Sequence, residues 1–227
     1  MVSDASLAKK LYNAHIERYA RVKNNYKPTL LYKRPLYSLL KNVSGKKVLF
    51  AGCGAGTECV SAVQRGAKVT GIDISDAAIM LAKKTCPKAT FYVMDFAKMK
   101  FHKRSFDVVI AILSVMYKKD LTATLQEFKR ILKPNGSIVL LVPHPVRKMM
   151  KYNKGYYFVK GRHHEFWKGT ERFNYYLLFE DFIDAFVNAK LKVVKLLEPK
   201  PFDSADKLRP ELKYPHFIIF KLVQEKI

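Results

Sequence analysis

Three glycines at alternate positions, Gly52, Gly54 and Gly56, lie between the apolar run "KKVLFAG" (46–52) and a segment of helical character from Thr57 to Gly66. Without a Cβ, glycine lets the backbone turn sharply and come close to a ligand. A bend of this kind, directly after a strand and before a helix, belongs to a strand–helix–strand unit. The same alternation continues along the chain. "AKVTGIDIS" (67–75) reads as a second strand, with Ser75 placed to cap the helix "DAAIMLAKK". "ATFYVMD" (89–95) and "FDVVIAIL" (106–113) are the third and fourth strands. Asp120 opens a helix whose Leu121, Leu125, Phe128 and Leu132 share one face, and the "KPNG" turn ends it before the strand "SIVLLVP". Phe179, Phe182, Ile183, Phe186 and Val187 stripe a last helix, followed by the β-rich runs "LKVVKLLEP" (191–199) and "FIIFKLV" (217–223). Such alternation predicts an α/β, doubly wound, mostly parallel sheet with helices on both faces. In that architecture a ligand sits outside the carboxyl ends of the strands, where the glycines fall.

Composition narrows the class. With 49% hydrophobic and 13% aromatic residues, the chain of 227 residues is not a disordered one. It reads as one domain, 1–227, with a helical cap over 1–45 and an insertion over 144–177. No apolar run approaches the ~20 residues that span a bilayer, and the first residues lack the apolar core of a signal peptide. Three cysteines without a CxxC pair fit neither a disulfide framework nor a zinc cluster. His144, His163 and His164 lack a fourth ligand and the usual spacing, so no metal is expected. The expectation is a soluble, cytoplasmic protein. Its formal net charge of +23 is either a solvated lysine surface or an attraction to a polyanion such as RNA. Neither an RGG tract nor an aromatic RNA-recognition motif accompanies it.

Spacing chooses among glycine-binding ligands. A phosphate loop needs GxxxxGK with a following Ser or Thr, which is absent. A dinucleotide fingerprint needs its last glycine at position 57, where this chain has Thr57. That glycine packs a helix beside a pyrophosphate, so its absence favours a ligand without one. Asp73 ends the second strand, where a carboxylate can accept both hydroxyls of a ribose. Asp95 ends the third, where it can accept from an exocyclic adenine amine. Glycines and two acids on three successive strand ends describe a cradle for adenosine.

With those motifs in place, the chain resembles the class I S-adenosylmethionine-dependent methyltransferases over almost its whole length. "VLFAGCGAGTE" resembles the glycine motif, "VTGIDIS" the ribose motif, "VMDF" the adenine motif, and "FKRILKPNGSIVLLVPHP" the helix–turn–strand segment. "VPHP", the Tyr/Trp/Arg-rich insertion and the ending "LLEPKP…YPHFIIFKL" are similar to a branch related to ubiquinone and menaquinone biosynthesis, mostly small-molecule enzymes. The resemblance implies a seven-stranded sheet of order 3-2-1-4-5-7-6 with the last strand, "FIIFKLV", antiparallel. It implies S-adenosyl-L-methionine as cofactor, held by Ala51, Gly52, Cys53, Gly54, Gly56, Asp73, Ile74, Asp95, Phe96 and Ile112. The glycine backbone would pass close to the methionine part, main-chain groups near Ala51–Gly52 and Ile112–Leu113 would hold its amino acid end, and Ile74 would pack on adenine. Helices of the N-terminal cap fold over the cofactor in this family, which makes Tyr12 or Tyr19 the candidate contact, with Tyr26 beside them. One departure stands out. The family carries Asp or Glu two residues before the first glycine, and here that residue is Phe50, a loss that Glu58 could offset.

The implied reaction is direct displacement of the methyl group by an O, N or C atom of a small-molecule acceptor. Two rivals are an RNA methyltransferase, motivated by the charge, and a non-catalytic cofactor-binding module, motivated by Phe50. In the "RHHEFW" cluster, His164 and Glu165 are candidate general bases, together with His163. His144, at the end of the fifth strand, is a further candidate. Trp167, Tyr156 and Tyr157 would line an apolar pocket, or the whole insertion would be a surface element packed on the sheet edge.

Overall fold

The computed structural model describes residues 3–25, 27–201 and 213–225. Two helices, α1 (Asp4–Asn25) and α2 (Lys27–Leu39), precede β1 (Lys47–Ala51), α3 (Thr57–Gln64), β2 (Lys68–Asp73), α4 (Asp76–Thr85), β3 (Thr90–Val93) and β4 (Phe106–Ile112). A 3-10 turn (Val115–Tyr117) and α5 (Leu121–Ile131) lead into β5 (Leu132–Pro143). Then come α6 (Pro145–Tyr152), β6 (Gly161–Trp167), β7 (Thr170–Tyr176), α7 (Phe179–Asn188), β8 (Leu191–Leu197) and β9 (Phe217–Gln224).

The main sheet has seven strands in the order β3-β2-β1-β4-β5-β9-β8. Without the separate β6–β7 hairpin, this is the expected 3-2-1-4-5-7-6. β9 runs antiparallel to both neighbours, while the pairs from β3 to β5 are parallel. The strand order reverses between β1 and β4, so the crevice of a doubly wound sheet opens at their carboxyl ends.

Side chains alternate across the sheet and so divide the core into two layers. Leu49, Ala51, Val109, Ala111, Leu140 and Phe220 face α5 and α7, where Phe128, Phe182 and Phe186 complete the cluster. Val48, Phe50, Ile110, Leu141 and Ile219 face the other way, against Tyr32 and Leu36 of α2, Cys59 and Ala62 of α3, and Ile79 and Ala82 of α4. A small third cluster joins Ala8 of α1 to Met116, Tyr117 and Phe173. It ties the N-terminal helix to the hairpin.

Two segments differ from the sequence expectation. "KPNG" does not separate α5 from β5. Leu132 already pairs with Phe106, and the ladder resumes at Ser137 opposite Val108, so the four residues between form an outward bulge within the strand. Residues 144–175, rich in Tyr, His, Arg and Lys and without a clear period in the sequence, form regular elements. Pro145 opens α6 behind the His144 cap, and Lys168 (φ 50°) with Gly169 (φ 77°) makes the two-residue left-handed turn that joins β6 to β7.

Candidate functional site

The cleft at the carboxyl edge is built largely from backbone. Gly52 leaves β1 at φ +75°, and a Cβ there would lie 2.4 Å from the Cβ of Ser114. That close approach brings the ends of β1 and β4 together, and Ser114 Oγ donates to the Ala51 carbonyl at 2.7 Å. Gly56 is needed for helix packing. A Cβ there would meet the Ala82 backbone at 3.1 Å, so this glycine seats α3 against α4. Gly54 has nothing within 4 Å of its missing side chain. Its N–H donates to Asp73 Oδ2 at 2.9 Å.

Asp73 is buried, and its other oxygen accepts from the Ser75 N–H at 3.0 Å. Burial pushes this carboxyl up, and backbone N–H groups of Ser75, Gly54 and Ile74 pull it back. Each carboxylate oxygen has about two acceptor positions, so Asp73 keeps capacity for the two hydroxyls of a ribose. Asp95 is held similarly: Oδ1 accepts from the Ala97 N–H at 2.9 Å and Oδ2 pairs with Lys118 at 2.7 Å. Phe96 lies beside it, with the Lys118 ammonium 5.3 Å from its ring centre.

Around these groups runs a cleft of about 930 Å³, part of it open to solvent. Its wall includes Gly52, Cys53, Gly54, Asp73, Ile74, Asp95, Phe96, Ile112 and Tyr19. Nine of the sequence-selected cofactor residues therefore meet in one place. Ala51 and Gly56 do not line it. Leu113, held at φ 53° by its N–H bond to the Leu141 carbonyl, also lines it.

One face of α1 covers the cleft through Asp4, Ala8, Tyr12, Tyr19 and Lys23, which recur at steps of four and seven residues. This helix is fastened to the start of α4. The Asn13 side-chain oxygen accepts from Ser75 Oγ at 2.6 Å, and Lys9 pairs with Asp76 at 2.6 Å. Tyr12 and Tyr117 share a hydrogen bond at 3.1 Å, and burial pushes both phenols up.

At the β1 end of the cleft stands Phe50, and Glu58 of α3 lines the same wall. Glu58 is buried, ion-paired to Lys23 at 3.0 Å, and accepts from the Tyr32 hydroxyl at 3.0 Å. Burial alone would raise this carboxyl, but Lys23 and Tyr32 hold it below its usual range. The acid missing at position 50, on β1, thus has a counterpart in the first turn of α3. Lys23 was not foreseen; its step of four from Tyr19 is the signal that could have found it. Lys118 and Ser114 were also missed.

None of the candidate bases lines this cleft. His144 is buried, its Nδ1 accepts from the Val146 N–H at 3.1 Å, and its Nε2 meets Glu198 at 2.9 Å. Both nitrogens are engaged in capping α6 and tethering the end of β8; burial lowers the ring's proton affinity. His164 is half in solvent, 3.7 Å from Glu171 across the hairpin. His163 stacks on Tyr176, with ring centres 4.1 Å apart. Glu165 is buried between Lys148 and Arg172, with the Tyr176 hydroxyl donating to it at 2.8 Å. Those cations hold its carboxyl down to about 2 against the opposing effect of burial. Tyr156 is exposed, and the Tyr157 hydroxyl accepts from the Phe179 N–H at 3.3 Å. Tyr26 and the Trp167 side chain lie outside the described residues. Among the described residues no group of His, Cys, Asp and Glu is arranged to hold a metal ion.

This chain shares its fold, a seven-stranded sheet with a glycine bend after β1, with solved S-adenosylmethionine-dependent methyltransferases. Residues 49–140 match the family model described as a methyltransferase domain. It is 36% identical over 118 residues to a demethylmenaquinone methyltransferase from Chlorobaculum parvum, covering 48% of this chain and 49% of that one. A ubiquinone biosynthesis O-methyltransferase from Saccharophagus degradans is 35% identical over 102 residues, 42% of this chain and 43% of the relative. The chain therefore spans about half the length, or less, of these curated relatives. An S-adenosylmethionine-dependent methyltransferase from Mesorhizobium loti superposes with a TM-score of 0.71 at 22% identity, over 85% of this chain and 97% of that one. The S-adenosylhomocysteine complex of magnesium protoporphyrin IX methyltransferase from Synechocystis gives 0.71 at 16% identity, over 98% and 100%. Among the described residues no helix is long and apolar enough to cross a membrane.

Proposed function

We propose that this protein transfers the methyl group of S-adenosyl-L-methionine to a small-molecule acceptor by direct displacement. The observation that carries the reading is the adjacency of Gly54, Asp73 and Asp95 on one wall, at the ends of three neighbouring strands. Asp73, fixed by the Gly54 and Ser75 N–H groups, receives the ribose hydroxyls. Asp95 receives the adenine amine, and Ile74 and Phe96 enclose the ring. Lys23 and Glu58 offer opposite charges at the far end, matching the carboxylate and ammonium of an amino acid. Bound there, the cofactor supplies an electrophilic methyl carbon on a sulfonium. The chain's task is to align the acceptor behind that carbon and exclude water, which can supply up to about 7–11 kcal/mol. The α1 helix, with Tyr12 and Tyr19, closes the cleft for that purpose, and the hairpin-bearing insertion supplies the acceptor side.

An RNA acceptor is the second reading, favoured by the net charge of +23. One experiment separates them. The protein is incubated with methyl-tritiated S-adenosylmethionine and a fractionated cell extract, with and without RNase. Label in low-mass fractions regardless of RNase is the expected result. Label that disappears with RNase assigns the acceptor to RNA, and binding without any transfer reduces the protein to a cofactor-binding module.

A further inference from the structure

The edge of the sheet opposite the cofactor cleft carries a second groove of about 800 Å³, open to solvent. It lies where β4, β5 and β8 begin and α5 and α7 end. Five of its ten lining residues are cations, Lys103, Arg104, Lys129, Arg130 and Lys190, and none is an acid. The acids nearby do not neutralise it. Glu127 is paired with Arg130, Asp107 with Lys133, and Glu225 is exposed at the end of β9.

The five cations are not equally committed. Arg130 is bound to Glu127 and to the carbonyls of Phe101 and Met99, and Lys129 reaches the Ala189 carbonyl at 3.3 Å. Lys103, Arg104 and Lys190 are exposed, with no ion pair or side-chain hydrogen bond among the described residues. Two of them stand on left-handed backbone, Arg104 at φ 58° and Lys190 at φ 54°. Lys190 directly follows the cap of α7, a position where glycine is the common residue. Long side chains are uncommon in that conformation, and like charges gathered without acids repel. A polyanion relieves that repulsion.

The two edges of the sheet contrast. The cofactor cleft is lined by four acids, Asp4, Glu58, Asp73 and Asp95, against the cations Lys23 and Lys118. A polyanion is therefore drawn to the amino edge and away from the cleft. The groove holds no aromatic ring, so it gives bases nothing to stack on. Exposed rings that could enter a lipid interface, Tyr156 and Phe158, lie in the insertion that follows the carboxyl end of β5. The groove is thus fitted for phosphates alone.

We propose that this groove binds the phosphate backbone of a nucleic-acid duplex, without regard to sequence, through Lys103, Arg104, Lys129 and Lys190. The seven residues of β4 hold it about 20 Å from the cleft. The bound polymer therefore positions the protein and is not its methyl acceptor. This inference goes beyond the methyltransferase reading and does not depend on it.

The test follows the fluorescence anisotropy of labelled RNA and DNA duplexes of about 20 base pairs, in two sequences each, titrated with the full chain at several salt concentrations. Both sequences should bind alike, with a log–log salt slope of about −3 to −4 for four phosphate contacts. Tighter binding of RNA or of DNA names the source of the duplex. Lys103→Glu, Arg104→Glu and Lys190→Glu together should weaken binding at least about ten-fold and flatten the slope by about three. The same charge change at the other edge, Lys119→Glu, Lys154→Glu and Lys168→Glu, should weaken it less than about three-fold. A charge-preserving set, Lys103→Arg, Arg104→Lys and Lys190→Arg, should bind within about two-fold of the unsubstituted protein. Saturating S-adenosylhomocysteine should leave duplex affinity unchanged. No binding, equal losses in the two glutamate sets, loss in the charge-preserving set, or competition by S-adenosylhomocysteine overturns the proposal. So does displacement of the duplex by phosphatidylglycerol vesicles, which would assign the groove to a membrane surface.

Discussion

The cleft and the insertion beside it are made by different means. On the β1–β4 side, backbone groups and short side chains fix the shape: a glycine bend, Asp73 held by two N–H groups, and Ser114 on the Ala51 carbonyl. On the insertion side, long side chains do the work through one buried network of Glu165, Lys148, Arg172, Tyr152 and Tyr176. The family match ends at residue 140, just before the insertion begins. Backbone cradles depend on where the strands end, so they suit a ligand common to many relatives. Side-chain networks can be rebuilt residue by residue, which suits an acceptor that differs among them.

This contrast can be broken by substitution. The largest effect is expected from Glu165→Ala, which strands Lys148 and Arg172 in the interior at about 3–5 kcal/mol of stability. Thermal unfolding should fall by about 6–20 °C for a chain of this size, while S-adenosylmethionine affinity below the transition stays unchanged. The unsubstituted protein should carry the same signature in acid. Because the folded carboxyl of Glu165 is held near 2, the unfolded chain binds the proton first. Its contribution is whole above the ordinary carboxylate range and is lost as pH falls toward 2. Denaturant titrations across that window should show a smaller loss for Glu165→Gln. An equal slope would detach the network from stability.

Gly52→Ala comes next. It places a Cβ against Ser114 in a left-handed backbone, a cost of about 2–4 kcal/mol from strain and overpacking together. Here the cofactor should be lost along with stability, the opposite pairing to Glu165→Ala. Calorimetry on both variants separates the two regions, and identical behaviour would merge them. The smallest effect belongs to His164→Ala. This ring is half-exposed, so stability should move by no more than about 0.5 kcal/mol and turnover should persist. A large loss of turnover with intact cofactor affinity would return His164 to the site.

The same contrast explains what the amino acids disclosed in advance. The strand ends, the glycine bend, Asp73 and Asp95 follow from periodicity and spacing, because such groups act where they stand in the chain; the sheet order and the other cleft residues came from the family resemblance. Glu58 could be named as the substitute for the acid missing at position 50, since both flank one turn. Its partner Lys23 could not, because it arrives from α1 across the top of the cleft. His144, His164 and Glu165 looked alike as titratable residues near the acceptor. Their surroundings differ: a helix cap, a solvent-facing strand and a buried ion network. No local pattern encodes that difference. The hairpin was not foreseen; the Lys168–Gly169 pair is the signal that could have found it.

Calorimetric titration of S-adenosylmethionine into the unsubstituted protein and into Asp73→Ala bears most directly on the cleft. One saturable site is predicted, weakened by about 1–3 kcal/mol when the ribose hydroxyls lose their charged acceptor. Saturation with the same affinity in both proteins, or no heat from either, would contradict the assignment.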